Sequence, residues 1–80
     1  MPEELKKRLR DLLLDVTEFD EIPETAPFSE VGIHSMMAME IITEVEHAFG
    51  VTIADDSLED ITNFETLHDH LQAALANRQQ

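Results

Sequence analysis

Cysteine is absent from this 80-residue chain, so it has no disulfide framework, no thiolate metal site and no thiol nucleophile of its own. Glycine and proline are scarce, at 2 and 3, too few for the many tight turns of an all-β sandwich. Bases are few as well: 5 Lys and Arg stand against 18 Asp and Glu, a formal net charge of −13. Lys6, Lys7, Arg8 and Arg10 cluster near the start and the next base is Arg78; between Asp11 and Asn77 every formally charged side chain is an acid. Such a field repels nucleic acid and anionic lipid and favours a partner with a basic patch. No apolar run approaches the length of a membrane span, and the charged opening MPEELKKRLR lacks a hydrophobic signal core, so a soluble, cytoplasmic monomer is expected. What is present, 42% hydrophobic residues in a short chain, suffices for one compact core over residues 1–80 and excludes both a disordered chain and a two-lobed enzyme.

Apolar residues at Leu5, Leu9, Leu12, Leu13 and Val16 recur at helical spacing and predict a first amphipathic helix from Glu3 to Val16. Residues 17 to 34 lose that period and carry Pro23, Pro27 and Gly32, a long connection with Ile22, Phe28, Val31 and Ile33 as apolar anchors. A second helix is expected from Ser35 to Phe49, with Ser35 suited to the N-cap and Gly50 to a left-handed C-cap. Its Ala38, Ile41, Ile42, Val45 and Phe49 form the core stripe, while Met36, Met39, Glu40, Thr43, Glu46 and His47 gather on the other face, with Glu44 at its edge. Asp56 with Glu59 reads as a capping box for a short helix ending near Ile61; Thr62 with Glu65 opens a last helix striped by Phe64, Leu67, Leu71, Ala74 and Leu75. The expected fold is an all-α four-helix bundle, three helices long and one short, with a long first loop and a frayed tail at about 77–80.

Enzyme signatures are missing: there is no glycine-rich phosphate loop and no HExxH, and the acidic run from Asp55 to Asp60 lacks the glycine and alternating ligands of a calcium loop. His68 and His70, two apart on a helix, point in different directions and cannot share a metal at close range; they are expected to be exposed polar-face histidines. No catalytic or metal-binding residue is therefore assigned. Ser35 remains, at the junction of the long loop and the second helix. A serine there is often only a cap, but a helix start also offers free amides and the positive dipole end to a phosphate ester on its hydroxyl. Met36 and Met39 beside it suit recognition better than core packing.

The run Gly32-Ile33-His34-Ser35-Met36, the later Phe49-Gly50-Val51-Thr52-Ile53 turn and Ile61-Thr62-Asn63-Phe64-Glu65-Thr66-Leu67 together resemble an acyl carrier protein over nearly the whole chain. The resemblance implies that Ser35 receives 4′-phosphopantetheine from coenzyme A through a separate phosphopantetheinyl transferase, flanked by Gly32, Ile33, His34 and Met36. The terminal thiol of that arm would hold acyl intermediates as thioesters. It further implies a freestanding, non-catalytic carrier read by acyl-loading and acyl-processing enzymes with basic docking patches, through Met36, Met39, Glu40, Glu44, Glu46 and His47. His34 replaces the Asp usual in fatty acid carriers and is familiar from peptidyl carriers; Met37 stands where an acid is common. These departures point away from a housekeeping role and towards a specialised one, the pathway served being of fatty acid, polyketide or other specialised type. An aminoacyl or peptidyl carrier, or an acidic interaction module without a prosthetic group, are the alternatives.

Overall fold

A computed structural model describes residues 2–78. Three α-helices make up its frame: α1 (Pro2–Thr17), α2 (Ser35–Phe49) and α3 (Phe64–Arg78), with no strand among the described residues. α1 packs against both other helices. Each presents the stripe its periodicity requires: Leu9 and Leu13 from α1, Ile41, Ile42, Val45 and Phe49 from α2, Phe64, Leu67 and Leu71 from α3 are all buried. Of the expected tail, residues 77 and 78 continue α3, and Gln79 and Gln80 lie outside the described residues.

The short fourth α-helix is not formed. In its place stands a 3₁₀ turn, Asp55–Glu59, with no side-chain cap. Its bonds close after three residues, Ser57 N–H to Ala54 O at 2.9 Å and Asp60 N–H to Ser57 O at 3.0 Å. A segment this short cannot recover the cost of nucleating an α-helix, and the tighter turn satisfies its ends sooner. α3 likewise starts on a different cap from the one expected. Asn63 accepts the Thr66 amide on its side chain at 2.8 Å, and the Thr66 hydroxyl accepts the Thr62 and Asn63 amides, so Glu65 closes no capping box.

The long connection is held at both ends and in the middle. Ile22, Phe28 and Ile33 are buried in the core and Val31 packs against it half-buried. A 3₁₀ turn over Phe28–Val31 shortens the path. The loop's backbone is tied to the start of α3 by Phe28 N–H to Thr62 O, 2.8 Å, and Glu65 N–H to Glu24 O, 3.0 Å. Arg10 donates to the Ile22 carbonyl at 2.9 Å and, with Lys6, grips the Glu24 carboxylate. Seventeen residues without α-helix, 18–34, are thus compatible with a small core, because their polar backbone groups find partners on two helices.

Candidate functional site

Ser35 is the first residue of α2, one place inside the helix. His34 occupies the N-cap, extended at φ −84° and ψ 172°, and its side chain makes no capping bond. This corrects the expectation for Ser35. A capping residue must stand outside helical dihedrals, and the chain already turns at Ser35. The first helical bond runs from Ala38 N–H to His34 O at 2.8 Å, which leaves the amides of Ser35, Met36 and Met37 ahead of the ladder. The exposed Ser35 hydroxyl itself has no hydrogen bond among the described residues. A free hydroxyl, unspent amides and the positive end of a 15-residue helix therefore coincide.

The approach to that point is set by Gly32 and Ile33. Gly32 sits at φ +92°, a left-handed conformation costly for any residue with a Cβ, and its amide closes the 3₁₀ turn onto Phe28 O. Ile33 then drops into the core at 3% exposure, with its amide on the same carbonyl at 2.9 Å. With the chain anchored one residue before it, His34 faces solvent and Ser35 follows.

Beside Ser35 lies an apolar cavity of about 220 Å³. Phe28, Ile41, Ile42, Leu58 and Ile61 line it. Ser35 and Met39, both exposed, share in the lining. Leu58 was not singled out in the sequence and Ile61 only as the end of a short helix and the start of a matching run, although the two are apolar and three residues apart. A lone pair of apolar residues in a short segment reads as ordinary anchoring until the cavity between it and α2 is seen.

The methionine face of α2 is open. Met36 is 82% and Met39 51% exposed, and Glu40, Glu44 and His47 are exposed beside them. Glu46 differs: it is partly buried, and its carboxylate accepts the Ile53 amide at 2.8 Å, locking the chain after Gly50. One other expectation changes, and the bases of α1 find partners. His68 is buried, 7% exposed, stacked on Phe64 with ring centroids 6.5 Å apart. The basic cluster of α1 turns partly inward: Lys6 and Arg10 hold Glu24, and Arg8 and Arg10 lie over the Phe49 and Phe64 rings. No group of three or more potential metal ligands occurs among the described residues, and no helix there is long and apolar enough to cross a membrane.

Residues 7–71 match the family described as the phosphopantetheine attachment site. The chain is similar to polyketide-8 synthase acyl carrier protein 2 of Streptomyces avermitilis, 33% identical over 75 residues, 90% of this chain and 86% of that protein. It is also similar to part of a non-reducing polyketide synthase of Hypocrea jecorina, 36% identical over 77 residues and 94% of this chain. Clavatol synthase of Penicillium crustosum is 38% identical over 58 residues, 72% of this chain. The chain spans only 3% and 2% of the length of these two fungal synthases. Among solved structures, that of oxytetracycline acyl carrier protein superposes with a TM-score of 0.75 at 24% identity, covering 92% of this chain and 83% of that one. At that identity the likeness is one of fold.

Proposed function

Because this chain belongs to the phosphopantetheine-attachment family of acyl carrier proteins, we propose that Ser35 is the residue that carries 4′-phosphopantetheine here. The observation that supports this most directly is the exposed, unbonded Ser35 hydroxyl at an uncapped helix start. The residues fit the group. Amides of Ser35, Met36 and Met37 and the dipole of α2 favour a phosphodiester at that place, and Gly32 and Ile33 hold the loop clear of it. When bound, the group supplies the thiol that the chain lacks, to hold an acyl chain as a thioester.

The chain itself acts by presenting and sheltering. Ser35 anchors, the apolar cavity beside it can take up a short acyl segment, and the α2 face of Met36, Met39, Glu40, Glu44 and His47 meets partner enzymes, among them a phosphopantetheinyl transferase. Glu46 contributes charge at the rim while one oxygen stays on Ile53. The chain is a substrate of those enzymes and has no turnover of its own. Relatives named as polyketide synthases and a polyketide synthase acyl carrier protein support cargo of polyketide type. The remaining activities of the large synthases do not transfer to it.

Intact-mass measurement after incubation with coenzyme A and a broad-specificity transferase tests the assignment. One phosphopantetheine is expected on the native chain and none on Ser35→Ala. That variant should keep its stability within about 0.5 kcal/mol, because the hydroxyl caps nothing. Modification persisting in Ser35→Ala, or mapped to Ser29 or Ser57, overturns it.

A further inference from the structure

Gly32 is a pliant residue at a place that has to stay put. It precedes Ser35 by three positions at φ +92°, and glycine gives up more conformational freedom on ordering than any other residue. Backbone holds one side of this turn: the amides of Gly32 and Ile33 both donate to the Phe28 carbonyl, the latter at 2.9 Å. On the side where a Cβ would project, the atom it would meet, chain neighbours aside, is Phe19 Cζ at 3.7 Å. The tip of the Phe19 ring therefore stands over the bare face of Gly32, and the two ends of the long connection meet there.

Phe19 is aimed by the end of α1. Glu18 takes the left-handed φ of +61° and its amide returns to Leu14 O at 2.8 Å, so the chain leaves the helix in a fixed direction. The Phe19 amide then donates to the Thr17 hydroxyl at 3.2 Å, and that buried hydroxyl donates in turn to Leu13 O at 2.7 Å. A left-handed residue other than glycine persists where its surroundings over-determine it, and such strain gathers at functional sites. The ring packs half-buried against the core and, with Pro23 and Val31, also lines an open recess of about 710 Å³, so its shortening would leave Gly32 facing water.

We infer that Phe19 is a positioning residue for the modification of Ser35: its ring tip braces the Gly32 turn and so keeps the hydroxyl presented. The inference rests on the attachment proposed at Ser35. Without the brace, Gly32 gains access to other dihedrals, and only a fraction of the molecules offers Ser35 in place. A transferase that accepts that fraction alone sees its affinity for the carrier fall by the same factor, while turnover of the bound carrier is kept. Reach, and not bulk alone, is what the role demands.

The test uses the full chain with coenzyme A and a broad-specificity phosphopantetheinyl transferase, comparing the native protein with Phe19→Ala, Phe19→Leu and Phe19→Met. Leucine fills the root of the site but stops short of the ring tip, whereas an extended methionine reaches about as far as Cζ. The KM for the carrier is expected to rise roughly five-fold in Phe19→Leu, and at least as far in Phe19→Ala, with kcat kept, as a reduced competent fraction requires. Hydrogen exchange of the unmodified chain should quicken at the Gly32 and Ile33 amides in the same two variants, relative to Val45 in the core of α2. Both readings should return towards native in Phe19→Met. Leu75→Ala, a truncation in α3 against the same core, controls for general loss of stability and should move neither. A Phe19→Leu that loads and exchanges as the native chain does overturns the inference, as does a loss confined to kcat, or a Leu75→Ala that raises KM as far as Phe19→Ala. Should Phe19→Ala fail to fold, the leucine and methionine variants still decide. A native chain that takes no phosphopantetheine instead overturns the attachment reading, while exchange at Gly32 and Ile33 still decides whether Phe19 braces the turn.

Discussion

Histidine is a weak residue at the N-cap of α2, since its ring makes no bond to the amides that follow and leaves the helix start unsatisfied. Replacement by Asp would add both an acceptor for the Met37 amide and a negative charge at the positive end of the dipole. His34→Asp is therefore expected to raise stability by about 0.5–1 kcal/mol in denaturant unfolding. The same carboxylate would compete with a phosphate for those amides, so loading by the transferase should slow. Greater stability without slower loading would show that the Ser35 phosphate does not depend on these amides. Ser35 was legible as a candidate because the loop, the helix period and Gly50 bracket it; its standing one residue inside the helix was not. Serine is favoured at a cap but does not require one, and the turn is decided by Gly32 and the burial of Ile33. His68 was misread for a related reason. It falls four residues after Phe64, on the flank of the core stripe, and a polar name concealed an apolar position.

Among the elements, α1 ends in an unusual way. Glu18 adopts φ +61°, its amide bonds back to Leu14 O at 2.8 Å, and the Thr17 hydroxyl, bonded to Leu13 O, accepts the Phe19 amide. This is a left-handed helix stop built without glycine, which costs an L-residue about 1–2 kcal/mol, partly offset by glycine's greater loss of entropy. Glu18→Gly should accordingly stabilise the protein by about 0.5–1 kcal/mol, read from the shift of the denaturation midpoint. A destabilised variant would mean that the Glu18 side chain makes a contribution larger than its strain. The helices themselves were legible from period and punctuation, α2 to the residue at its C-terminal end, while its cap falls on His34, one residue before the expected Ser35. What local pattern could not supply were the long-range partners: the Glu24 carbonyl waiting for the Glu65 amide, or Thr62 for Phe28. Nor does a capping box reveal whether the segment behind it is long enough to nucleate, which is why Asp56 with Glu59 suggested a helix where a 3₁₀ turn stands.

For the molecule as a whole, the scarcity of bases makes each one count. Lys6 and Arg10 converge on Glu24 at 3.1 and 2.8 Å, and Glu24 joins α1, the long loop and α3, since its backbone also accepts from Glu65. The hydrogen bond from Lys6 holds the Glu24 carboxyl below its ordinary value of 4.5, against partial desolvation and with help from the charges of Lys6, Arg10 and His68. A carboxyl with a lowered folded pKa adds stability that is complete above its unfolded value and is lost as pH falls through the folded one. Glu24→Gln should therefore destabilise the protein by a constant amount at pH about 6–8, and the gap to the native chain should shrink below about pH 4.5 as Glu24 takes up its proton. The other acids titrate in both chains and largely cancel in the difference. Paired unfolding curves across that range decide the matter. A gap that persists unchanged into acid would assign the role of Glu24 to the shape of its hydrogen bonds, and the charge would then contribute nothing to holding the loop. High salt should narrow the gap at neutral pH as well, because all three side chains are partly exposed and their attraction is screened. The site at Ser35 is reached only if that loop stays in place, so the junction at Glu24 and the geometry of the helix start should weaken together in acid.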